Sequence, residues 1–260
     1  MDQVVEVKKH VPSGTIILNR PQRCNALSRW AMVQLAQALD DLHQERRVRA
    51  VILTGSGTSF CSGVDLHEIR ESSKEDDALM QWHRDAVQFK ELVEKMMLFP
   101  KPIIAAVNGP AVAAGAGLLL ASDIVVASPE ATFGFPEPRR GLVSGIAAPL
   151  LSFRIGAGPA ANLLLSARLL EADEAHRLGL YHELTSNDVV WARSHALAEE
   201  CAKCAPEALQ LTKRLLNETI GGHLVTHLAS GAAATATART TEAAQEGLTA
   251  FLEKREPNWP

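Results

Sequence analysis

The chain has little excess charge of either sign. It carries 26 Lys and Arg against 30 Asp and Glu, a net charge of −4, and the two signs are interspersed. A nucleic-acid partner would call for a basic patch, and none is present. Cysteine is scarce too: Cys24, Cys61, Cys201 and Cys204. A disulfide-stapled scaffold is excluded, and free thiols are the expectation. Cys201-x-x-Cys204 falls in a helical stretch, Asn187 to Lys203, with no second pair and no following βαβ pattern, so it reads as two helix residues rather than half of a zinc or redox site. Met1 to His10 is charged where a leader would have its apolar region, so a cytoplasmic location is expected. The apolar stretch from Ile103 to Ala127 is broken by Asn108-Gly109-Pro110 and Ser122-Asp123, which excludes a membrane span. Repeats and low-complexity linkers are also missing. Gly55-Ser56-Gly57 lacks the third glycine spacing and the Lys-Ser/Thr ending of a nucleotide loop and reads as a turn.

What is present is an ordinary globular composition, 47 % apolar and 22 % charged. Val4 to Lys8 and Gly14 to Leu18 read as a hairpin around Pro12-Ser13-Gly14. Asn25-Ala26-Leu27-Ser28 caps a helix whose Met32, Leu35, Leu39 and Leu42 recur at helical spacing. Val48 to Thr54 is a buried strand. A charged segment, Glu68 to Asp77, precedes a helix from Ala78 to Leu98, stopped by Pro100 and Pro102. Ile103 to Val107 and Asp123 to Ala127 are strands flanking a helix that ends at Ala121, and Ala131 to Gly134 is extended. From Ser144 onward the pattern is almost wholly helical, with Pro206 starting one helix, Gly221-Gly222 ending another, and a segment rich in Ala and Thr from Leu224 to Lys254 that can dock on the core or on another subunit. The fold class is α/β: a layered core followed by helices.

Two loops carry the chemistry. Phe60-Cys61-Ser62-Gly63-Val64-Asp65-Leu66 and the run from Asn108 to Gly117 each follow a β-branched apolar strand and each open a helix. Free N–H groups at such helix starts can stabilise an anion, and two that converge would form an oxyanion hole. Ligands of layered α/β cores sit beyond the carboxyl ends of the strands, where both loops lie. In a third segment Glu137 stands between Pro136 and Pro138. It is either a desolvated carboxylate with a raised pKa, suited to general-base work, or a loop residue paired with Arg139 or Arg140. Local sequence leaves both open and leans slightly to the pair.

The chain resembles the crotonase superfamily, also called the enoyl-CoA hydratase/isomerase family. The matching elements are Asn19-Arg20-Pro21 with Asn25-Ala26-Leu27; Val51-Ile52-Leu53-Thr54-Gly55; Phe60 to Leu66; Lys101 to Gly109; Ala121-Ser122-Asp123; Phe133-Gly134-Phe135-Pro136-Glu137; and Phe251-Leu252-Glu253-Lys254-Arg255. Their order and spacing run nearly end to end. The resemblance implies a crotonase-like spiral of ββα units over residues 1–200 and a helical C-terminal trimerisation region over 201–260, assembled as a homotrimer or homohexamer. It implies acyl-CoA thioester substrates and no metal or nicotinamide cofactor; coenzyme A arrives as part of the substrate. By motif position the oxyanion donors are the N–H groups of Val64 and Ala114, and Glu137 is the catalytic acid/base. One such donor is commonly worth ~3 kcal/mol of barrier. Ser62, Gly63, Asn25, Ala26 and Gly115 fall at substrate-binding positions, and Phe251 and Lys254 at positions that contact the CoA nucleotide.

Three departures matter. Ala113-Ala114-Gly115 replaces the usual glycine cluster, and Val64 stands where alanine is common; both crowd the acyl site. Gly117 occupies the position of the first of two glutamates used in hydration, with the spacing from Asn108 and to Asp123 preserved. One carboxylate suffices to move a proton between two carbons, so the expected reaction is isomerisation of a 3-enoyl-CoA to a 2-enoyl-CoA. The alternatives are hydration or other enolate chemistry, such as decarboxylation, with a substituted acid (Asp65, His67, Glu68 or Glu71), and a non-catalytic acyl-CoA-binding paralogue. Asp65 reads rather as a helix cap and His67 as a surface helix residue. Arg139 and Arg140 read as surface charge, with a small weight on meeting a distal carboxylate of the substrate. His223 and His227, four apart but without a third ligand, read as ordinary helix histidines, with a small weight on decarboxylase chemistry.

Overall fold

The central sheet is built from the apolar runs already visible in the sequence. The computed structural model describes residues 3–220 and 223–259, with the side chains of residues 219 and 220 left aside; Gly221-Gly222, expected at a helix end, lie outside the described residues. β1 (Val5–His10) and β2 (Ser13–Leu18) form the expected antiparallel hairpin. β2 then pairs in parallel with β3 (Ala50–Gly55), β3 with β4 (Ile103–Val107), and β4 with β6 (Ile124–Ala127). Between β4 and β6 come the short β5 (Ala111–Val112) and α4 (Ala114–Leu120). Parallel strands are covered on both faces, which is why β3 and β4 read as continuous apolar runs rather than alternating ones.

Side chains alternate across the sheet with period two. Val51, Leu53, Ile103, Ala105 and Val107 face the main core. That core is closed by α1 (Arg29–Gln44), α3 (Ala78–Leu98), α5 (Ala147–Ile155) and α10 (Leu224–Ala238). Ala50, Ile52, Ile104, Ala106 and Val126 face the other way, onto Val190, Leu197 and Ala198 of α8 (Val190–Ala202). The Ala- and Thr-rich segment folds as α10 and α11 (Glu242–Glu253), and α10 docks on the core through Leu224, Leu228, Ala232 and Ala236.

Local signals are honoured where they are strong. Ser28 Oγ accepts from Ala31 N at 3.1 Å and starts α1. Asp65 caps α2 (Leu66–Ser72), which occupies the first part of the charged segment, by accepting from His67 N at 3.1 Å. Pro206 begins α9 (Pro206–Arg214). All four cysteines are free thiols; Cys201 lies in the last turn of α8, and Cys204 lies beyond it.

The expectation of an almost wholly helical second half needs correction. β8 (Leu169–Glu171) pairs antiparallel with β7 (Thr132–Gly134), itself parallel to β5, making a second, three-stranded sheet. β9 (Glu183–Leu184) extends the main sheet beside β6. Strands of two or three residues are too short to show a period; their partners define them. The small sheet matters for the site, because β5 and β7 hold the second loop and the Glu137 segment side by side.

Candidate active site

Three chain segments are fastened together by the side chains of Arg20, Asn25 and Asn108. Asn25, in a left-handed conformation, accepts from Arg20 N at 2.9 Å and donates to Ser56 O and Ser59 O at 2.8 and 2.7 Å. Asn108 accepts from Gly55 N at 3.2 Å and donates to Gly57 O at 2.9 Å, tying the exits of β3 and β4. Arg20 donates to Ala26 O at 2.7 Å and to Asp65 Oδ2 at 2.8 Å, which holds the first loop against the start of α1.

Onto this frame the two loops are pressed together. Gly63 has φ +102, and a side chain there would stand 2.7 Å from Ala113 Cβ and 3.3 Å from Ala114 N. A side chain at Gly115 would come within 2.1 Å of Cys61 O, so only glycine allows that approach. The loops thus use their glycines for mutual contact. Leu27 N donates to Gly63 O and Asp65 N to Leu27 O, a parallel bridge that skips Val64 and leaves its N–H without an acceptor among the described residues. Ala114 is the first residue of α4, and its N–H is likewise unused, as the geometry of a first helical turn requires. Ala113, with φ 55 and ψ −127, adopts a conformation that ordinarily belongs to glycine.

Val64 and Ala114 both line a cavity of about 350 Å³. So do Ala26, Ser62, Glu137 and Phe251. Asn25, Gly63, Gly115 and Lys254 do not line it. The first is a frame residue, the two glycines are consumed by loop contact, and Lys254 is exposed in a left-handed turn just past α11. His67 is exposed as expected but belongs to the cavity mouth, 2.9 Å from Arg23 Nη1. His223 and His227 are exposed and lie off the cavity. No cluster of three His, Cys, Asp or Glu placed to hold a metal occurs among the described residues.

Glu137 follows β7 in a short 3-10 turn, Glu137–Arg140. Its Oε2 is buried and makes no hydrogen bond among the described residues, and the same holds for Ser144 Oγ and Arg140 Nε. Burial pushes the Glu137 carboxyl up to about 7, although its own backbone N–H, the nearby Ser144 and the Arg140 charge all pull it back. The other cavity-lining carboxylates among the described residues are in ion pairs: Asp65 with Arg20 at 2.8 Å and Asp85 with Arg29 at 2.7 Å. Cys61 is no nucleophile, since burial pushes its thiol up to about 12. Glu68 and Glu71 lie off the cavity; Glu68 accepts from Arg29 N, and Glu71 pairs with Lys74 on the surface.

At Gly117 a Cβ would meet Phe89 Cζ at 3.0 Å and Ala147 Cβ at 3.7 Å. Phe89 and Ala147 line the cavity, so apolar atoms stand where a side chain at 117 would project.

Arg140 corrects an expectation of surface charge. It is half-buried, lines the cavity and stacks over the Phe251 ring at 4.1 Å, while Arg139 is exposed. Asp85, Phe89, Ser144 and Arg239 were not singled out from sequence. For Arg239 a signal existed: it is the one Lys, Arg, Asp or Glu between Leu224 and Thr241.

A family model described as enoyl-CoA hydratase/isomerase matches residues 13–260. The chain is 41 % identical to a putative enoyl-CoA hydratase of Thermus thermophilus, over 98 % of this chain and 100 % of that one. It is 31 % identical to the 1,2-epoxyphenylacetyl-CoA isomerase of Escherichia coli, over 97 % of both. The crystal structure of an enoyl-CoA hydratase/isomerase from Xanthobacter autotrophicus Py2 matches with a TM-score of 0.90 at 26 % identity, covering 100 % of both chains.

Proposed function

Because the chain belongs to the enoyl-CoA hydratase/isomerase family and is an enzyme of that type, we propose that it shifts the double bond of a 3-enoyl-CoA to the 2-position, with Glu137 as the single acid/base. One observation carries this reading: among the described residues Glu137 is the only cavity-lining carboxylate outside an ion pair, and apolar atoms fill the space beside Gly117.

The mechanism follows from charge. The thioester oxygen takes hydrogen bonds from the Val64 and Ala114 N–H groups. Glu137 removes a proton from C2, and the C2–H electron pair delocalises into the thioester carbonyl and the C3=C4 bond. The resulting dienolate carries its charge on the oxygen, where two preorganised donors stabilise it in a site of low dielectric. Glu137 then returns the proton to C4, and the double bond settles at C2=C3. No water is consumed, so a second carboxylate has no task. A carboxyl raised to about 7 suits both halves of the shuttle.

The crowding by Val64 and by the Ala113 methyl shapes the acyl site rather than removing the hole. Ala26, Ser62 and Phe251 contact the thioester and the adjoining CoA. Asn25, Gly63 and Gly115 support it indirectly, and Lys254 meets a CoA phosphate as a point charge. Residues 201–260 act as the region through which copies assemble into a homotrimer or homohexamer.

Hydration is the second reading, favoured by the name of the Thermus thermophilus relative. It needs a second acid, and the carboxylates available in the cavity, Asp65 and Asp85, are already in ion pairs. A panel of 2-enoyl- and 3-enoyl-CoA thioesters separates the readings. Double-bond migration without hydration of crotonyl-CoA is expected, and Glu137→Gln lowers it by at least ~100-fold. Efficient hydration, or migration that survives Glu137→Gln, overturns the proposal. Binding without turnover or exchange of the α-proton with deuterium would mark a non-catalytic paralogue.

A further inference from the structure

One charge in the cavity wall has no part in the reaction above. The mouth is lined by the exposed Arg23, Cys24 and His67. A buried stretch of wall comes from α3 and α10, which pack against each other. From α3 comes Asp85, and from the residue that closes α10 comes Arg239, only 5 % exposed.

Asp85 is already satisfied. Arg29 Nε and Nη2 donate to its two oxygens at 2.7 and 2.9 Å, and Gln81 Nε2 donates at 2.7 Å. Arg239 Nη1 forms a long ion pair with Asp85 Oδ2 at 3.7 Å, too far for a hydrogen bond, and is buried with no hydrogen-bond partner among the described residues. The charged groups that act on Arg239 are Asp85 and Arg29, one of each sign. Arg239 and Arg29 therefore share the single Asp85 carboxylate, and the Arg239 Nη1 N–H groups stay unused at the wall. Burial lowers the Arg239 pKa to about 10, so it remains a cation at neutral pH. Arg140 differs, because Glu137 lies beside it. The same cavity is lined by the apolar Ala86, Phe89 and Ile146, a surface suited to methylene groups.

A buried guanidinium that shares its counter-charge and leaves N–H groups unbonded is costly, and a ligand anion that accepts from it relieves that cost. We infer that the acyl group accepted by this site ends in a carboxylate, received by Arg239 at the buried wall. The inference rests on reading the cavity as an acyl-CoA site and names the class of acyl group: a dicarboxylic acid esterified to CoA at one end only.

The test is calorimetric and needs no turnover. Saturated acyl-CoA thioesters of equal chain length, one ending in a carboxylate and one in a methyl group, are titrated into the full chain. The carboxylate-ended thioester is expected to bind at least about tenfold tighter. In Arg239→Met the ratio of the two affinities falls to near one; in Arg239→Lys, which keeps the charge and covers the case where Arg239→Met fails to fold, a preference persists. Equal affinities in the wild type, or a loss in Arg239→Lys and Arg239→Met that is the same for both ligands, overturns the inference and leaves Arg239 as a packing partner of Asp85. Preference for the carboxylate without any double-bond migration supports this inference while overturning the proposed reaction. Failure of both thioesters to bind overturns both.

Discussion

Two residues in the second loop and the third segment hold strain and charge that can be measured one at a time. Ala113 sits at φ 55 and ψ −127, a backbone region that costs a residue with a Cβ on the order of 1–3 kcal/mol. Ala113→Gly is expected to stabilise the protein by about 1 kcal/mol in urea unfolding, the relief being partly offset by the greater freedom of glycine in the unfolded chain. Destabilisation would mean that the Ala113 methyl is needed where it packs beside Gly63. Glu137 must be ionised to accept the C2 proton. Its carboxyl is held at about 7 by burial, so kcat/KM for migration should rise about tenfold per pH unit below 7 and level off above it. A profile flat between pH 5 and 8 would show that another group sets the rate.

The element scale is governed by side chains that close helix and strand ends on one another. Asp123, just before β6, accepts from Ile103 N at 2.7 Å at the start of β4 and from Lys213 Nζ at 2.7 Å in the last turn of α9. Lys213 is buried and also donates to Met96 O at the end of α3. One carboxylate thus joins two strands and a helix. Burial lowers the Lys213 pKa against the opposing pull of Asp123. Asp123→Asn leaves that ammonium without its counter-charge and is expected to cost about 3 kcal/mol, read from the midpoint of urea unfolding. A cost below about 1 kcal/mol would place the pair with weak surface bridges instead. This scale also shows where sequence reading succeeds. Helix α3 was legible at both ends, because periodic apolar residues and Pro100 and Pro102 are local signals. Strands β8 and β9 were not, since two or three residues acquire strand geometry from their partners.

For the whole molecule, the buried acid makes stability depend on pH in a definite direction. The folded state holds the Glu137 proton up to about 7, while the unfolded chain releases it near 4.5. Below 4.5 both states are protonated and this group's contribution is fully present; it is lost as pH rises toward 7, about 3 kcal/mol in all. Glu137→Gln removes that dependence. The variant should therefore gain on the wild type between pH 4.5 and 7 and remain the more stable of the two above that range. Parallel stability curves for the two proteins would mean that the carboxyl is solvated. The site is stabilised for chemistry at the expense of the fold, and this becomes visible only when the entire domain unfolds.

Sequence by itself determined the longer core elements (β1 to β4, β6, α1 and α3), the caps at Ser28 and Asp65, the family, and the absence of a carboxylate at position 117. These depend on neighbours along the chain or on an ordered series of motifs, so they survive translation into one dimension. Tertiary structure alone decided that Asn25 and Gly63 build the frame instead of touching the cavity, that Arg140 turns inward over Phe251, and that Arg239 Nη1 is buried beside Asp85 with no hydrogen bond among the described residues. Desolvation and Coulomb interaction act through space, and their sign at any group depends on residues dozens or hundreds of positions away. The environment of Glu137, set by Ser144 and Arg140 together with the rest of the cavity wall, could be read only after the chain had folded.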